Sequence, residues 1–164
     1  MPDPPCRDAP PHDDGQRGDA WVAAQVLIGL TVVVVAAAGP NPRLLRRTRR
    51  VVAMGCALAG VVVVMTSHRR LGDAFSIFPR PPESGSLTTN GPYRVVRHPM
   101  YTGVISHALA ASLAGSPWAL VPTAALAVVL DRKAATEENA LMRRFEDYDG
   151  YRATTRWRLV PGIR

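Results

Sequence analysis

Two stretches of this chain are apolar for long enough to reach across a lipid bilayer. Residues 21–38 carry Gln25 as their only strongly polar member, and residues 51–65 contain no charged side chain. A hydrocarbon core ~30 Å thick asks for about 20 such residues in a helix. The valine run at 32–35 favours a strand in water, but a lone strand in lipid leaves its backbone unpaired, so a helix is expected. Gly39, Pro40 and Pro42 close the first segment. A short loop with Arg43, Arg46, Arg47, Arg49 and Arg50 leads into the second, where Gly55 and Ala59 form a small pair at the spacing that permits close helix contact.

A third apolar stretch, residues 99–130, is too long for one span, since a single helix there would measure about 48 Å. Gly115, Ser116 and Pro117 interrupt it, so two shorter helices joined by a tight turn are expected. On the first of these, Gly103, His107, Ala111 and Gly115 recur every fourth residue and form a small face. After Leu130 the chain turns polar, yet helical spacing continues through Leu141, Phe145, Tyr148 and Arg152. The pattern predicts an all-α integral membrane protein of about four transmembrane helices, the last two a tight hairpin, with a C-terminal cytoplasmic helical extension. Residues 1–19, rich in Pro, Asp and Gly, read as a disordered tail. Residues 20–67 read as an N-terminal helix pair, and 68–164 as the part that carries the polar motifs. Residues 78–85, crowded with proline, are expected to be irregular. Residues 157–162 read as an interfacial anchor.

Charge and composition refine this picture. The net charge is +7, and Lys133 is the only lysine among the 20 basic residues. With four spans, both ends and the 68–98 connection share the face that holds most of the arginines, which the positive-inside rule makes cytoplasmic. The 43–50 loop then falls on the opposite face, against that rule. The basic balance suits anionic lipid headgroups; no base-reading module accompanies it, so nucleic acid is not an expected partner. Cys6 lies in the tail and Cys56 in an apolar segment, so no disulfide is expected. The histidines lack metal-ligand spacing. The first segment exceeds the 7–15 apolar residues of a cleaved signal, and is read as a retained span.

The chemistry concentrates in residues 89–103. A turn signal, Asn90-Gly91-Pro92, leads to a helix start at Pro99, because proline at the first helical position loses no hydrogen bond. Arg97, His98 and Tyr101 are thereby expected where a membrane helix meets water. Further on, Lys133 and Glu137 are four apart and share a helix face, open to an ion pair. Glu138 points to another side and is expected to be solvated. His107 lies inside the third helix, as a functional group or as a packed neutral one.

Gly91-Pro92-Tyr93-Arg94 and Arg97-His98-Pro99-Met100-Tyr101 with Gly103 are followed, after the apolar hairpin, by Glu137-Glu138 with Leu141, then Phe145, Tyr148 and Tyr151. In that order these motifs resemble the isoprenylcysteine carboxyl methyltransferase family and its relatives among the phospholipid N-methyltransferases, over residues 71–164. The resemblance implies an integral membrane enzyme that binds S-adenosylmethionine at the cytoplasmic membrane edge, with 68–164 as its catalytic part. Carried over by position, the cofactor contacts are Leu87, Thr88, Tyr93, His98, Pro99, Met100, Tyr101 and Glu137, with Arg97 beside them. Glu137 would accept from the ribose diol or offset positive charge. Arg94, Arg97 or His98 would hold the cofactor carboxylate, and Tyr93 and Tyr101 offer rings to the adenine or the sulfonium. Where the family has an arginine reaching the substrate, this chain has Lys133, with Arg132 adjacent. A lysine supplies a point charge rather than a bidentate fork.

Methyl transfer from an activated donor needs alignment at about 3–3.5 Å and exclusion of water, so positioning groups and no acid–base residue are expected. The acceptor is expected to be a lipophilic small molecule entering from the bilayer, with an isoprenylcysteine-like carboxylate favoured. A phospholipid amine, a small thiol, or a non-catalytic basic protein that binds anionic lipids are the alternatives. Beyond membrane lipids, no obligate protein partner is expected.

Overall fold

A computed structural model describes residues 14–43, 45–71 and 87–163. They form α1 (Asp14–Ala38), α2 (Arg46–Leu71), α3 (Pro99–Ala114), α4 (Leu120–Arg144) and α5 (Tyr148–Thr154), with 3-10 turns at Gly91–Arg94 and Pro117–Ala119. Among the described residues the one strand-like feature is an isolated parallel bridge between Val96 and Trp157.

The all-helical expectation holds. α1 from Gly18 onward, and α2, are long and apolar enough to cross a membrane. Leu27, Leu30, Val33 and Val34 of α1 are exposed, as are Met54, Leu58, Val61 and Val62 of α2. Apolar faces of this extent are covered by lipid rather than left to water. Helix α1 takes in residues 14–19 of the expected tail. Once an apolar segment has nucleated a helix, each further residue adds a hydrogen bond at little cost. Residues 1–13 and the proline-rich 78–85 lie outside the described residues.

α3 is the central helix. α2 packs most extensively along it, and α1 and α4 also pack against it. The buried residues of α2 are Ala53, Gly60 and Ser67, spaced by sevens, which brings one narrow stripe against α3. A Cβ on Gly60 would lie 2.7 Å from the His107 ring, and one on Gly103 would run into Val64. His107 is held in turn by its Nδ1 contact with Gly103 O at 2.8 Å. The expected small face of α3 is therefore used, but the α2 partner is Gly60. Gly55 has nothing within 4 Å of a Cβ, so the Gly55/Ala59 pair does not serve. Its phase on the helix turns it outward.

At one end, the loop after α1 and the turn after α3 are joined. Ser116 N donates to Ala36 O at 3.0 Å, and Ser116 Oγ donates to Pro40 O at 2.7 Å. Arg49 donates to Asn41 Oδ1 and also reaches Gly115 O. Four of the five arginines expected in the loop lie inside α2, and Arg49 is turned inward to tie two connections together. That gives at least one member of the cluster a structural reason to be there.

At the other end, α4 does not run on as one helix. It stops at Arg144; Phe145 takes an extended backbone, and a turn at Glu146 and Asp147 starts α5. The break lets Tyr148 fold inward to 1% exposure. The segment after α5 is likewise no simple anchor. It returns across α3 and α4 and buries Leu159 in the core with Val32, Ala108, Leu126, Leu130 and Ala134.

Gly115→Ala is expected to lower the melting temperature in detergent, because the new methyl would strike the carbonyl of Ala36, backbone that cannot swing aside. Overpacking of this kind costs about 1–3 kcal/mol. Gly55→Ala, in open space, is expected to raise stability by about 0.5–1 kcal/mol.

Candidate functional site

The polar groups gather where the chain enters α3, between α4 and the returning C-terminal segment. His98 occupies the cap position of α3, and Pro99 begins the helix. The His98 carbonyl accepts from Tyr101 N at 3.1 Å and from Thr102 N at 3.2 Å, so the backbone makes the cap and the imidazole is released for other contacts. Tyr101, one turn into α3, stacks its ring on that of His98 at 5.7 Å between centroids, nearly parallel.

Glu137 meets this pair. The Tyr101 hydroxyl donates to Glu137 Oε1 at 2.6 Å, and His98 Nδ1 lies 3.5 Å from Glu137 Oε2. Lys133 also lies over the Tyr101 ring, with Nζ 5.2 Å from the ring centroid and 1% residue exposure. Its ammonium donates to Gln25 Oε1 of α1 at 3.4 Å. Arg132, expected beside Lys133 at the substrate, is exposed and is not part of this cluster.

Glu138 overturns its expectation. It is 2% exposed rather than solvated. Arg97 Nε donates to its Oε1 at 2.7 Å, while Arg158 donates from Nε to Oε1 at 3.2 Å and from Nη2 to Oε2 at 3.3 Å. Arg158 Nη1 also reaches Asp131 Oδ1 at 3.0 Å. Two charge-assisted contacts in parallel from one guanidinium hold a carboxylate in both position and orientation. Arg97 also donates from Nη1 to the carbonyls of Thr155 at 2.7 Å and Arg156 at 2.8 Å. Arg97, expected beside the cofactor, is 8% exposed, with its Nε and Nη1 committed inside the fold. Backbone bonds from Arg97 N to Trp157 O and from His98 N to Arg158 O, both 2.9 Å, complete the junction.

Burial alone would raise the Glu138 carboxyl, but His98, Arg97 and Arg158 outweigh it and hold it down at about 2. Burial pushes the Tyr151 phenol up to about 12, and its hydroxyl donates to Tyr93 O at 2.7 Å. Tyr93 is itself buried, and its phenol is raised for the same reason. Its ring is part of the packing beneath the loop rather than an open surface. Leu87, Thr88 and Met100 are half-buried, and Pro99 is buried at the helix start.

A cleft of about 390 Å³ lies beside the loop, lined by Thr89, Asn90, Arg94, Tyr151, Thr154 and Thr155. It does not include His98, Tyr101 or Glu137. The stacked rings and the carboxylate are the stronger guide to chemistry, because they bring opposite charge and π surface within contact distance.

The structure thus brings together His98, Tyr101, Lys133 and Glu137. Sequence reasoning missed Glu138, Arg158 and Gln25. Gln25 had a signal, as the lone amide in an apolar run; Arg158 had none, because its partners are distant in the chain.

The sequence model of the phospholipid methyltransferase family matches residues 48–147, more than half of the chain. The chain belongs to this family. No curated protein and no solved structure matches it. Membership in the family, together with the two apolar helices, makes it a membrane methyltransferase. The matched region starts inside α2 and ends just before α5. It includes His98, Tyr101, Lys133 and both glutamates, and leaves out α1 and Arg158.

Because the folded Glu138 carboxyl, at about 2, lies below its ordinary 4.5, the stabilisation it gives is complete above about pH 4.5. It is lost as the pH falls toward 2. Thermal unfolding in detergent is expected to stay level from pH 7 to 5 and to drop below that, with Glu138→Gln showing a shallower drop. Glu138→Ala at pH 7 removes the carboxylate that Arg97 and Arg158 share, leaving Arg158 with Asp131, and is expected to cost about 3–5 kcal/mol in chemical denaturation.

Proposed function

We propose that the protein transfers a methyl group from S-adenosylmethionine to a lipophilic acceptor that enters from the bilayer. The observation that carries this reading is the cluster of His98, Tyr101 and Glu137 at the start of α3. The cofactor presents a sulfonium, an ammonium, a carboxylate, a ribose diol and an adenine, and the cluster fits that set. Glu137 has carboxylate lone pairs beyond the one used by Tyr101, suited to a diol or an ammonium. His98 Nε2 is buried 3.4 Å from Glu138 Oε1, without the alignment of a hydrogen bond. The Tyr101 ring offers a π face to positive charge. Leu87, Thr88, Pro99 and Met100 would supply the surrounding wall.

When bound, S-adenosylmethionine supplies a methyl already activated on sulfonium, so transfer to a carboxylate cancels both charges and requires no proton to move. The protein's part is then to orient and to exclude water. Tyr101 fixes Glu137 through its hydroxyl, and the backbone cap at His98 fixes Tyr101. Lys133 would face the acceptor, for which an acidic group as in an isoprenylcysteine is the first choice. A phospholipid amine is the second reading, favoured by the family's description.

We further propose that α3 and the first half of α4 complete a four-span protein. The lack of any charged residue between 99 and 130 supports this. The cluster would then face the cytoplasm, on the side that carries most of the arginines.

Calorimetric titration with S-adenosylhomocysteine, the expected product, tests the reading. The wild-type protein is expected to bind, and Glu137→Ala and His98→Ala to weaken binding about tenfold or more while remaining folded by circular dichroism. A folded wild-type protein that does not bind would sink the proposal. Salt-sensitive binding to anionic vesicles, indifferent to Glu137→Ala, would then become the leading account.

A further inference from the structure

The arginines at the start of α2 lie at the far end of the bundle from His98. α3 spans 16 residues, so about 24 Å separates its start from the Gly115 turn at its end. The start of α2 belongs to the Gly115 end: Arg49 reaches Gly115 O at 3.5 Å, and Ser116 bonds to Ala36 O and Pro40 O. Arg43, Arg46, Arg47 and Arg50 are all exposed there. Among the described residues their side chains have neither a hydrogen bond nor an ion pair. The charge is unbalanced as well as unpaired. No Asp or Glu occurs between residues 20 and 72 or between 84 and 130, so the described residues of this end hold five guanidinium groups and no carboxylate. Arg46 and Arg50 are one helical turn apart, where like charges repel. An anion between them turns that repulsion into two attractions.

The patch is braced from inside. Arg49 donates to Asn41 Oδ1, and the Ser116 bonds hold the chain just before it, so the four outer arginines project from a fixed base. Arg49 Nε is buried in the same place with no hydrogen-bond partner among the described residues, the mark of an acceptor that the protein itself does not supply. The neighbours set the level of the patch in the membrane. Trp118, two residues past Ser116, is 65% exposed, and Leu45 and Val51 are exposed on either side of the first turn of α2. An exposed indole beside guanidinium groups, with the apolar faces of α1 and α2 beyond them, is the pattern of a membrane–water boundary. The anion that is abundant at that level is lipid phosphate, and a guanidinium meets it with two parallel N–H donors.

We infer that Arg43, Arg46, Arg47 and Arg50 form a binding site for the phosphate of an anionic phospholipid, at the opposite end of the bundle from the proposed methyl-transfer site. The lipid bound here is a ligand and not the methyl acceptor, since the whole length of α3 lies between it and Tyr101. The inference stands whether or not the protein binds S-adenosylmethionine.

The experiment uses the full chain in detergent. Equilibrium binding is measured for radiolabelled phosphatidylglycerol and, separately, for radiolabelled phosphatidylcholine, whose headgroup has no net charge. The wild-type protein is expected to bind phosphatidylglycerol at least about tenfold more tightly. A triple variant, Arg46→Gln with Arg47→Gln and Arg50→Gln, is expected to raise the Kd for phosphatidylglycerol about a hundredfold while remaining helical by circular dichroism. Arg50→Gln alone is expected to raise it about fivefold, and decides the matter if the triple variant fails to fold. The control removes the same charge from the other end, where Arg69, Arg143 and Arg156 are exposed. Replacing these three with glutamine is expected to leave the Kd within about twofold. Equal loss in the two triple variants would show that net charge alone attracts the lipid, and would overturn the site. Equal affinity for the two lipids, or unchanged binding in the Arg46, Arg47 and Arg50 variant, would overturn it as well. Displacement of phosphatidylglycerol by millimolar inorganic phosphate would assign the patch to a free phosphate and overturn the lipid assignment.

Discussion

One buried carboxylate, Glu138, joins three parts of the chain that are far apart in sequence. Arg97 reaches it from the approach to α3, and Arg158 reaches it from the segment after α5. A carboxylate at this depth is unfavourable without partners, and so is each guanidinium. None of the three can take its place until the others are present. Through that dependence the loop, the end of α4 and the returning segment acquire one relative position. Glu137, the next residue, is then aimed at Tyr101 and His98 by the helix alone. The groups proposed to meet the cofactor are ordered by a junction that adjoins them, with Glu138 Oε1 3.4 Å from His98 Nε2.

The bilayer supplies the other constraint. α1 and α2 present valine and leucine outward, so lipid cannot tell one helix rotation from another. Orientation has to come from the few places where the surface is not uniform. The Gly60 and Gly103 notches, the Gly115 contact with Ala36 and the Ser116 bonds to α1 are such places. The Gln25 amide, which accepts from Lys133 at 3.4 Å, is another.

What could be read from the sequence followed the range of the interactions. The helices, the start of α3 at Pro99 and the break at Gly115 are set by local composition, and they were legible. So was the grouping of His98, Tyr101 and Glu137, through motifs whose order resembles that of known methyltransferases. Glu138 was misread because helical spacing gives the direction of a side chain and says nothing of what waits there; its partners are 41 and 20 residues away. The partners of Arg97 in the fold were not legible for the same reason. The continuation of α4 past Arg144 was expected from periodicity, but the burial of Tyr148 and Tyr151 beneath the loop won over an unbroken helix.

The parallel bridge between Val96 and Trp157 has a consequence for how the protein is made. Everything from α1 to α4 is synthesised, and available to the bilayer, before the residues that close the junction leave the ribosome. Arg97 and Glu138 must wait for Arg158, a late arrival in translation. Insertion into the membrane and assembly of the site are therefore separate events in time. A chain interrupted after α4 would have its apolar helices made and its buried charges incomplete, with a loose end where the junction should close.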